Sequence, residues 1–260
     1  MVVLKKNLSV SMNAKIIGSG DEVVILGHGY GGDHSIWDKI VPSLSKKYRV
    51  LVFDWKFSGA ARANEKELED PFDTVKYSTY DTFADDLIGL MDEMELGSQP
   101  VFVGHSMSGM IGCIASIRRP ELFKKLILIG ASPRYLNSED YEGGFERPEV
   151  DQLLSAIESN FHSWASAFAT LAVGGKDVQA AAKFEKTLRS MPPQAALSLA
   201  KTIFLGDWRH ILKDVTVPCI IVQTTNDIVV PTSVGYYMQK KMIKGKAKVE
   251  NIDCYGHFPQ

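Results

Sequence analysis

Five short runs of unbroken apolar residues constrain this chain more than any other feature. They are Val23 to Leu26 (VVIL), Val50 to Phe53 (VLVF), Val101 to Val103 (VFV), Leu126 to Ile129 (LILI) and Cys219 to Val222 (CIIV). Bounded by turn-forming residues and without polar alternation, they predict strands buried on both faces, as in a parallel sheet. Parallel neighbours need crossovers, and helical patterns fall between the runs at Ile36 to Leu44, Phe83 to Met94, Met107 to Ile117 and Ser233 to Met242. Ahead of them, Leu8 to Ile17 alternates apolar with mostly polar residues, which predicts a half-exposed antiparallel hairpin. The expected class is α/β, a mostly parallel central sheet with helices on both faces.

One interval breaks the rhythm. From Pro133 to about Trp208 only amphipathic helical stretches occur, such as Val150 to Phe168 and Val178 to Leu188. A chain of 260 residues suits one large domain, since single cores rarely grow past about 250–300 residues. The reading is therefore a core from two pieces, 1–132 and 209–260, with a helical lid inserted at 133–208. The insert is rich in aromatics: Tyr135, Tyr141, Phe145, Phe161, Trp164, Phe168, Phe184 and Phe204. Half or more are expected only to hold the insert together, and the remainder to line a cavity. Lys56 to Tyr80, with its acidic run Glu65 to Asp73, reads as a solvated surface loop with some helix.

Charge and cysteine usage narrow the partners. Lys+Arg 29 against Asp+Glu 31 gives a net charge of −2, which leaves no cationic excess for a phosphate backbone, so no nucleic-acid role is expected. The basic run Lys240 to Lys248 closes a helix, where cations complement the dipole. Cys113, Cys219 and Cys254 lie far apart and form no zinc spacing, which favours a reducing compartment. There is no signal-peptide pattern and no apolar run of about 18 residues, so no membrane role is expected. Near-neutral charge and the absence of heptads favour a monomer.

The chemistry is carried by VFVGHSMSGMIG, where a buried strand ends in small residues, Ser106 follows, and a helix begins at once. This strand-turn-helix pattern is a nucleophile elbow, which projects the serine from the sheet edge. Its usual form is G-x-S-x-G; here Ser108 occupies the last position and Gly109 follows. A serine hydroxyl needs a base, and the base needs an orienting group. In this architecture the order is Ser, acid, His. Asp227 in QTTNDIVVP and His257 in DCYGHFPQ follow the right strands in that order. Read singly, Asp227 is a helix cap and His257 a loop histidine; with Ser106 they form a triad.

The first parallel strand runs into LGHGYGGDHSIWD, whose backbone can bind an oxyanion through Tyr30 N–H, with Met107 N–H as the second donor. GHGYGG lacks both the G-x-G-x-x-G order and a P-loop lysine, so it is no nucleotide cradle. His28, His34, His105, His162 and His210 form no metal motif and default to structural hydrogen bonding. The reading needs no cofactor and no metal.

The elbow GHSMSGM, the loop LGHGYGGDHSIW, the insert entry GASPRYLNSEDYEGGFE, the segments FATLAVGG and KTIFLGDWRHIL, and the strand-end motifs TVPCIIVQ and GHFPQ together resemble the plant α/β-hydrolase receptors for karrikins and strigolactones. The resemblance runs almost end to end and is strongest in the insert, which ordinary esterases do not share. It is less close to a bacterial stress-signalling relative. It implies an α/β-hydrolase fold with a four-helix V-shaped lid over an apolar pocket for a butenolide ring. The matching pocket positions are Tyr30, Tyr135, Phe145, Leu153, Trp164, Phe168, Phe204, Ile228 and Val229. It further implies slow hydrolysis of ester, butenolide or enol-ether substrates and an F-box ubiquitin-ligase adaptor docking on the closed lid; the location expected from the cysteine usage is cytoplasmic and nuclear. Two alternatives stay open: a metabolic carboxylesterase or lactonase without a signalling partner, and a binding module with a vestigial triad.

The chain departs from the family pattern in three places. The segment from Asp54 to Tyr80 is longer than usual, which is expected to reshape a surface near the pocket or a partner contact. Tyr30 stands where phenylalanine is usual, which is expected to put a hydroxyl in the pocket wall and to favour more polar ligands. The sequence given ends at Gln260, three residues past His257, where the family has one further helix, so either the sequence is cut short or His257 is less well supported than usual. Side-chain identity alone does not choose between karrikin-like and strigolactone-like ligands.

Overall fold

The computed structural model describes residues 7–63, 72–97, 99–175 and 177–260; most of the acidic run Glu65 to Asp73 lies outside them. The chain opens with one helical turn, α1 (Leu8–Ser11), and a short strand, β1 (Lys15–Ile17). The hairpin expected over Leu8 to Ile17 is thus corrected. The Glu93 carboxylate accepts from Leu8 and Ser9 N–H at 2.7 and 3.0 Å, and an anion at a helix N-terminus outweighs the alternating pattern. Only Lys15–Ile17 remains extended.

The parallel strands follow as β2 (Val23–Gly27), β3 (Arg49–Val52), β4 (Val101–His105), β5 (Lys125–Ile129), β6 (Cys219–Asn226) and β7 (Ala247–Tyr255). Their order is β1-β3-β2-β4-β5-β6-β7, with β1 alone antiparallel. All five apolar runs lie in or at the ends of these strands. Alternate residues feed two cores: Val23, Ile25, Leu51, Phe102, Leu126 and Leu128 point into the larger, and Val24, Leu26, Val50, Val52 and Val103 into a thinner one.

The helices between β2 and β6 are α2 (Val41–Leu44), α3 (Gly59–Ala63), α4 (Tyr80–Met94), α5 (Met107–Arg118), α6 (Arg147–Ala172), α7 (Val178–Arg189) and α8 (Pro193–Leu205); α9 (Thr232–Lys241) joins β6 to β7. The helix expected over Ile36 to Leu44 is instead a 3₁₀ turn (His34–Trp37) followed by the single turn α2, with Pro42 near its start. Proline lacks the N–H that would continue the preceding turn into one helix. That pair of turns covers the thin face through Trp37, Ile36, Ile40, Val41 and Leu44. Helices α4 and α5 cover the other face, burying Phe83, Leu87, Met110 and Ile111 completely, each worth about 1.5–3 kcal/mol of transfer free energy.

Among the described residues, no sheet strand falls between 133 and 208. Helix α6 is broken at Asn160 (φ −155°, ψ 79°), so this interval carries four helical segments. The described parts of Lys56 to Tyr80 are less solvated than their composition predicts: Phe57, Tyr77 and Tyr80 are buried, and Phe72 stacks on Tyr77 at 4.8 Å.

At the end of β4 the backbone itself is close-packed. A Cβ on Gly104 would lie 2.6 Å from the carbonyl carbon and oxygen of Ser108, where nothing flexible can yield. Gly104→Ala is expected to cost about 1–3 kcal/mol, as overpacking does, read as a lower urea midpoint at unchanged m-value; an unchanged midpoint would refute the close packing.

Candidate active site

The strand order reverses at β2, whose neighbours β3 and β4 lie on opposite sides. Loops leaving the carboxyl ends of the strands diverge at such a point and leave a crevice there. Ser106 stands at this edge, between β4 and α5, with φ 56° and ψ −123°. A positive φ at a residue with a side chain costs on the order of 1–3 kcal/mol and persists only where neighbours enforce it. Here Ser106 N–H donates to Ile129 O at 2.8 Å, and its C=O accepts from Gly109 N–H at 2.9 Å. Gly29 faces it so closely that a Cβ there would be 2.9 Å from Ser106 Cβ.

The departure at Ser108 has a structural reason. Its hydroxyl donates to the His28 carbonyl and accepts from Trp55 Nε1 at 2.8 Å, tying the elbow to the loop after β2. A glycine there would lose both bonds. The same loop is anchored by Asp54, whose fully buried carboxylate accepts from His34 N–H at 2.6 Å, His34 Nδ1 at 3.0 Å and Asn13 Nδ2 at 2.7 Å. Burial alone would raise the Asp54 pKa, but the His34 bond and the nearby histidines outweigh it and hold it below the usual range. The same bond raises His34. Asp33, His34 and Asp54 offer donor atoms within 4.8 Å of one another. Each is already engaged, Asp33 as the cap on Ser35 N–H at 2.9 Å, which is a loop-anchoring arrangement.

His257 Nδ1 lies 2.7 Å from Asp227 Oδ2, and both side chains are almost wholly buried. A carboxylate can only accept, so Nδ1 carries a proton and Nε2 is the nitrogen left facing away from Asp227. Nε2 is buried without a partner among the described residues. Asp227 Oδ1 accepts from Val229 N–H at 2.8 Å, fixing the carboxylate. Gly130, with φ 55°, admits this pair: a Cβ there would come within 2.9 Å of His257 Cε1. The main chain of His257 is hydrogen-bonded to the Ala172 carbonyl and to His105 Nε2.

Met107 opens α5, so its N–H is one of the donors that a helix leaves without an intrahelical partner. Tyr30 is buried and its hydroxyl donates to the Ala196 carbonyl of α8 at 3.0 Å. The expected polar pocket wall is therefore corrected: the hydroxyl is spent on α8. The side chain nearest the Ser106 hydroxyl in hydrogen-bonding terms is Tyr135, whose OH lies 3.5 Å away and whose pKa is raised by burial.

A cavity of about 20 Å³ lies over Ser106. That is room for about one water molecule, far below the ~300 Å³ of a pocket that encloses an organic ligand. Of the positions named from sequence, Tyr30, Tyr135, Phe168, Phe204 and Val229 line it together with Ser106 and His257. Phe145, Leu153 and Trp164 stand behind this wall: Phe145 packs on Phe204 at 5.5 Å, Trp164 stacks on Phe168 at 4.9 Å, and Leu153 packs against the core. Ile228 is 54% exposed and lies outside the cavity. Sequence reasoning left out His105, Ala172, Phe184, Ile203 and Phe258 as lining residues. Phe184 was visible as an insert aromatic, and Phe258 as the neighbour of His257; the others carry no sequence signal.

The family model for the alpha/beta hydrolase fold matches residues 22–260. The chain is 45% identical over 258 residues to karrikin insensitive 2 receptor IA of Petunia hybrida, covering 99% of this chain and 90% of that one. It is 42% identical to strigolactone esterase D14 of Arabidopsis thaliana, covering 98% and 92%. A solved hydrolase from Oleispira antarctica superposes with a TM-score of 0.90 at 29% identity, covering 97% and 90%. With a parallel sheet, a strained serine at its crevice and relatives matched along almost the whole chain, this protein belongs to the α/β-hydrolase family, among the relatives of the karrikin insensitive 2 receptors and strigolactone esterases.

Proposed function

We propose that this chain is a receptor-type serine hydrolase that binds a butenolide signal and hydrolyses it slowly under a helical lid. The observation that carries the reading is that His257, held by the buried Asp227 carboxylate, lines the same small apolar cavity as Ser106. The relatives named for karrikins and strigolactones supply the ligand class. In this reading the chain divides into a core, 1–132 and 209–260, and a lid, 133–208. Ser106 Oγ attacks the carbonyl carbon, His257 Nε2 takes its proton, and Asp227 holds the imidazole by Nδ1–H. The N–H groups of Tyr30 and Met107 receive the charge that develops on the carbonyl oxygen. His257 then returns the proton to the leaving oxygen, and water cleaves the acyl-serine by the reverse assignment of roles.

A cavity of about 20 Å³ admits no butenolide, so binding requires α6 to α8 to shift outward. The wall residues Tyr30, Tyr135, Phe168, Phe204 and Val229 then contact the ligand, and Phe145, Leu153 and Trp164 back them. Ile228 joins the pocket only if its loop turns inward. Because the Tyr30 hydroxyl is engaged with Ala196, the ligand meets an almost wholly apolar wall. The ligand-bound lid is the surface proposed to recruit an F-box ubiquitin-ligase adaptor, with the protein acting in the cytoplasm and nucleus. No described helix is long and apolar enough to cross a membrane, and Cys113, Cys219 and Cys254 are free thiols, which accords with a reducing compartment.

Intact mass measured during reaction with a synthetic butenolide enol ether is expected to show a slowly clearing adduct that Ser106→Ala lacks. Fast multiple turnover of short acyl esters with no butenolide consumed would favour the metabolic esterase instead. Asp227→Asn is expected to lower kcat by about 10⁴-fold, since it removes the carboxylate that fixes the tautomer; a loss under tenfold would count against the triad. Tyr30→Phe is expected to cost about 1 kcal/mol and to speed amide hydrogen exchange in α8; unchanged exchange would refute the tether.

A further inference from the structure

His257 is held by its main chain as well as by its ring. Its N–H donates to the carbonyl of Ala172, the last residue of α6, at 2.6 Å. Its C=O accepts from Nε2 of His105 at 2.8 Å. One hold thus belongs to the lid and the other to β4, at the residue next to Ser106.

His105 is 1% exposed, with Trp37 edge-on to its ring at 6.5 Å and the rings of His257 and Phe258 at 4.8 and 4.7 Å. A carbonyl oxygen only accepts, so Nε2 of His105 carries the proton and Nδ1 the lone pair. Nδ1 has no partner among the described residues. Burial and the neighbouring His257 keep His105 well below the ordinary histidine range, so it stays neutral and the donor is always present. His105 borders the cavity, but no hydrogen bond joins its ring to the Ser106 hydroxyl among the described residues.

The two holds answer differently to an outward shift of the lid. The Ala172 carbonyl travels with α6, whereas His105 stays with the sheet. We propose that His105 is a positioning residue, anchoring the His257 main chain to the strand that carries Ser106 so that base and nucleophile keep their register when the lid parts. The proposal rests on the triad reading above, and its test separates the two.

His105→Phe keeps a flat, buried ring and removes the donor, whereas His105→Gln places an amide N–H near the position of ring Nε2. Steady-state kcat and KM are measured for both, with Ser106→Ala, on p-nitrophenyl acetate and on a butenolide enol ether, alongside far-UV circular dichroism and the unfolding midpoint. His105→Phe is expected to lower kcat about tenfold or more with KM held within about twofold, the pattern of lost transition-state positioning. His105→Gln is expected to regain most of that loss, and the Phe deficit to be larger for the bulkier butenolide. Full kcat in His105→Phe overturns the proposal, as do equal losses in folded Phe and Gln variants, which would make His105 packing alone. Should His105→Phe not fold, His105→Leu provides the donor-less comparison on the same criteria. Turnover surviving in Ser106→Ala would instead overturn the triad reading and the anchoring role with it, an outcome recognisable because that variant leaves His105 untouched.

Discussion

The close approach of three backbone segments around Ser106 is the constraint on which the rest of the structure depends. Gly29 on the loop after β2, Gly104 at the end of β4 and Gly109 in α5 each sit where a Cβ would come within 3.0 Å of another heavy atom. That proximity forces the serine into a positive φ and brings the loop carrying Tyr30 against the start of α5. Buried polar contacts hold the arrangement: Ser108 to the His28 carbonyl, Trp55 Nε1 to the same carbonyl and to Ser108, and Asp54 to His34. The strain at Ser106 is thus stored in a frame with many supports rather than in one loop.

The sheet was legible because burial on both faces leaves a mark that needs no partner to interpret: runs such as VVIL and LILI cannot sit elsewhere in a chain of this size. The elbow was legible for a related reason, since small residues around one serine between a strand and a helix have few other uses. Asp227 and His257 could be placed by chain order, because the architecture fixes which strand ends meet at the crevice. What escaped was whatever depends on a distant partner. Leu8 to Ile17 alternates like a hairpin, yet the carboxylate of Glu93, more than 80 residues on, turns its first half into a helix. The Tyr30 hydroxyl looked like a pocket group because nothing local predicts that the Ala196 carbonyl will claim it. The resemblance puts Ile228 in the wall, but a single step along the loop from Asp227 turns its side chain out to solvent.

The aromatic residues of the insert serve both of the uses foreseen for them. Phe168, Phe184 and Phe204 reach the cavity, whereas Trp164 stacks behind Phe168 at 4.9 Å, Phe145 packs on Phe204 at 5.5 Å, and Phe161 stacks in turn on Trp164 at 6.1 Å. A wall assembled from stacked rings adjusts by sliding whole helices more readily than by turning single side chains, because each ring's rotamer is fixed by its neighbour. Two buried hydrogen bonds, from Tyr30 to Ala196 and from His257 to Ala172, tie the insert to the sheet side. The ties at its margin, Lys183 to Asp38 and Ser35, Lys39 to Asp177, and Thr202 to the Ser78 carbonyl, are mostly solvent-exposed and individually weak. The insert is therefore lightly fastened along its edge.

The bond between His105 and the His257 carbonyl spans 152 residues of sequence. Pairings of that separation form only after much of the intervening chain has lost its freedom, so they come late in folding. The turn at Ser106 is made from neighbouring residues and can be in place early. His257, by contrast, waits for β6, β7 and the docking of the whole insert. In the proposed reading the site is therefore complete only when the fold is.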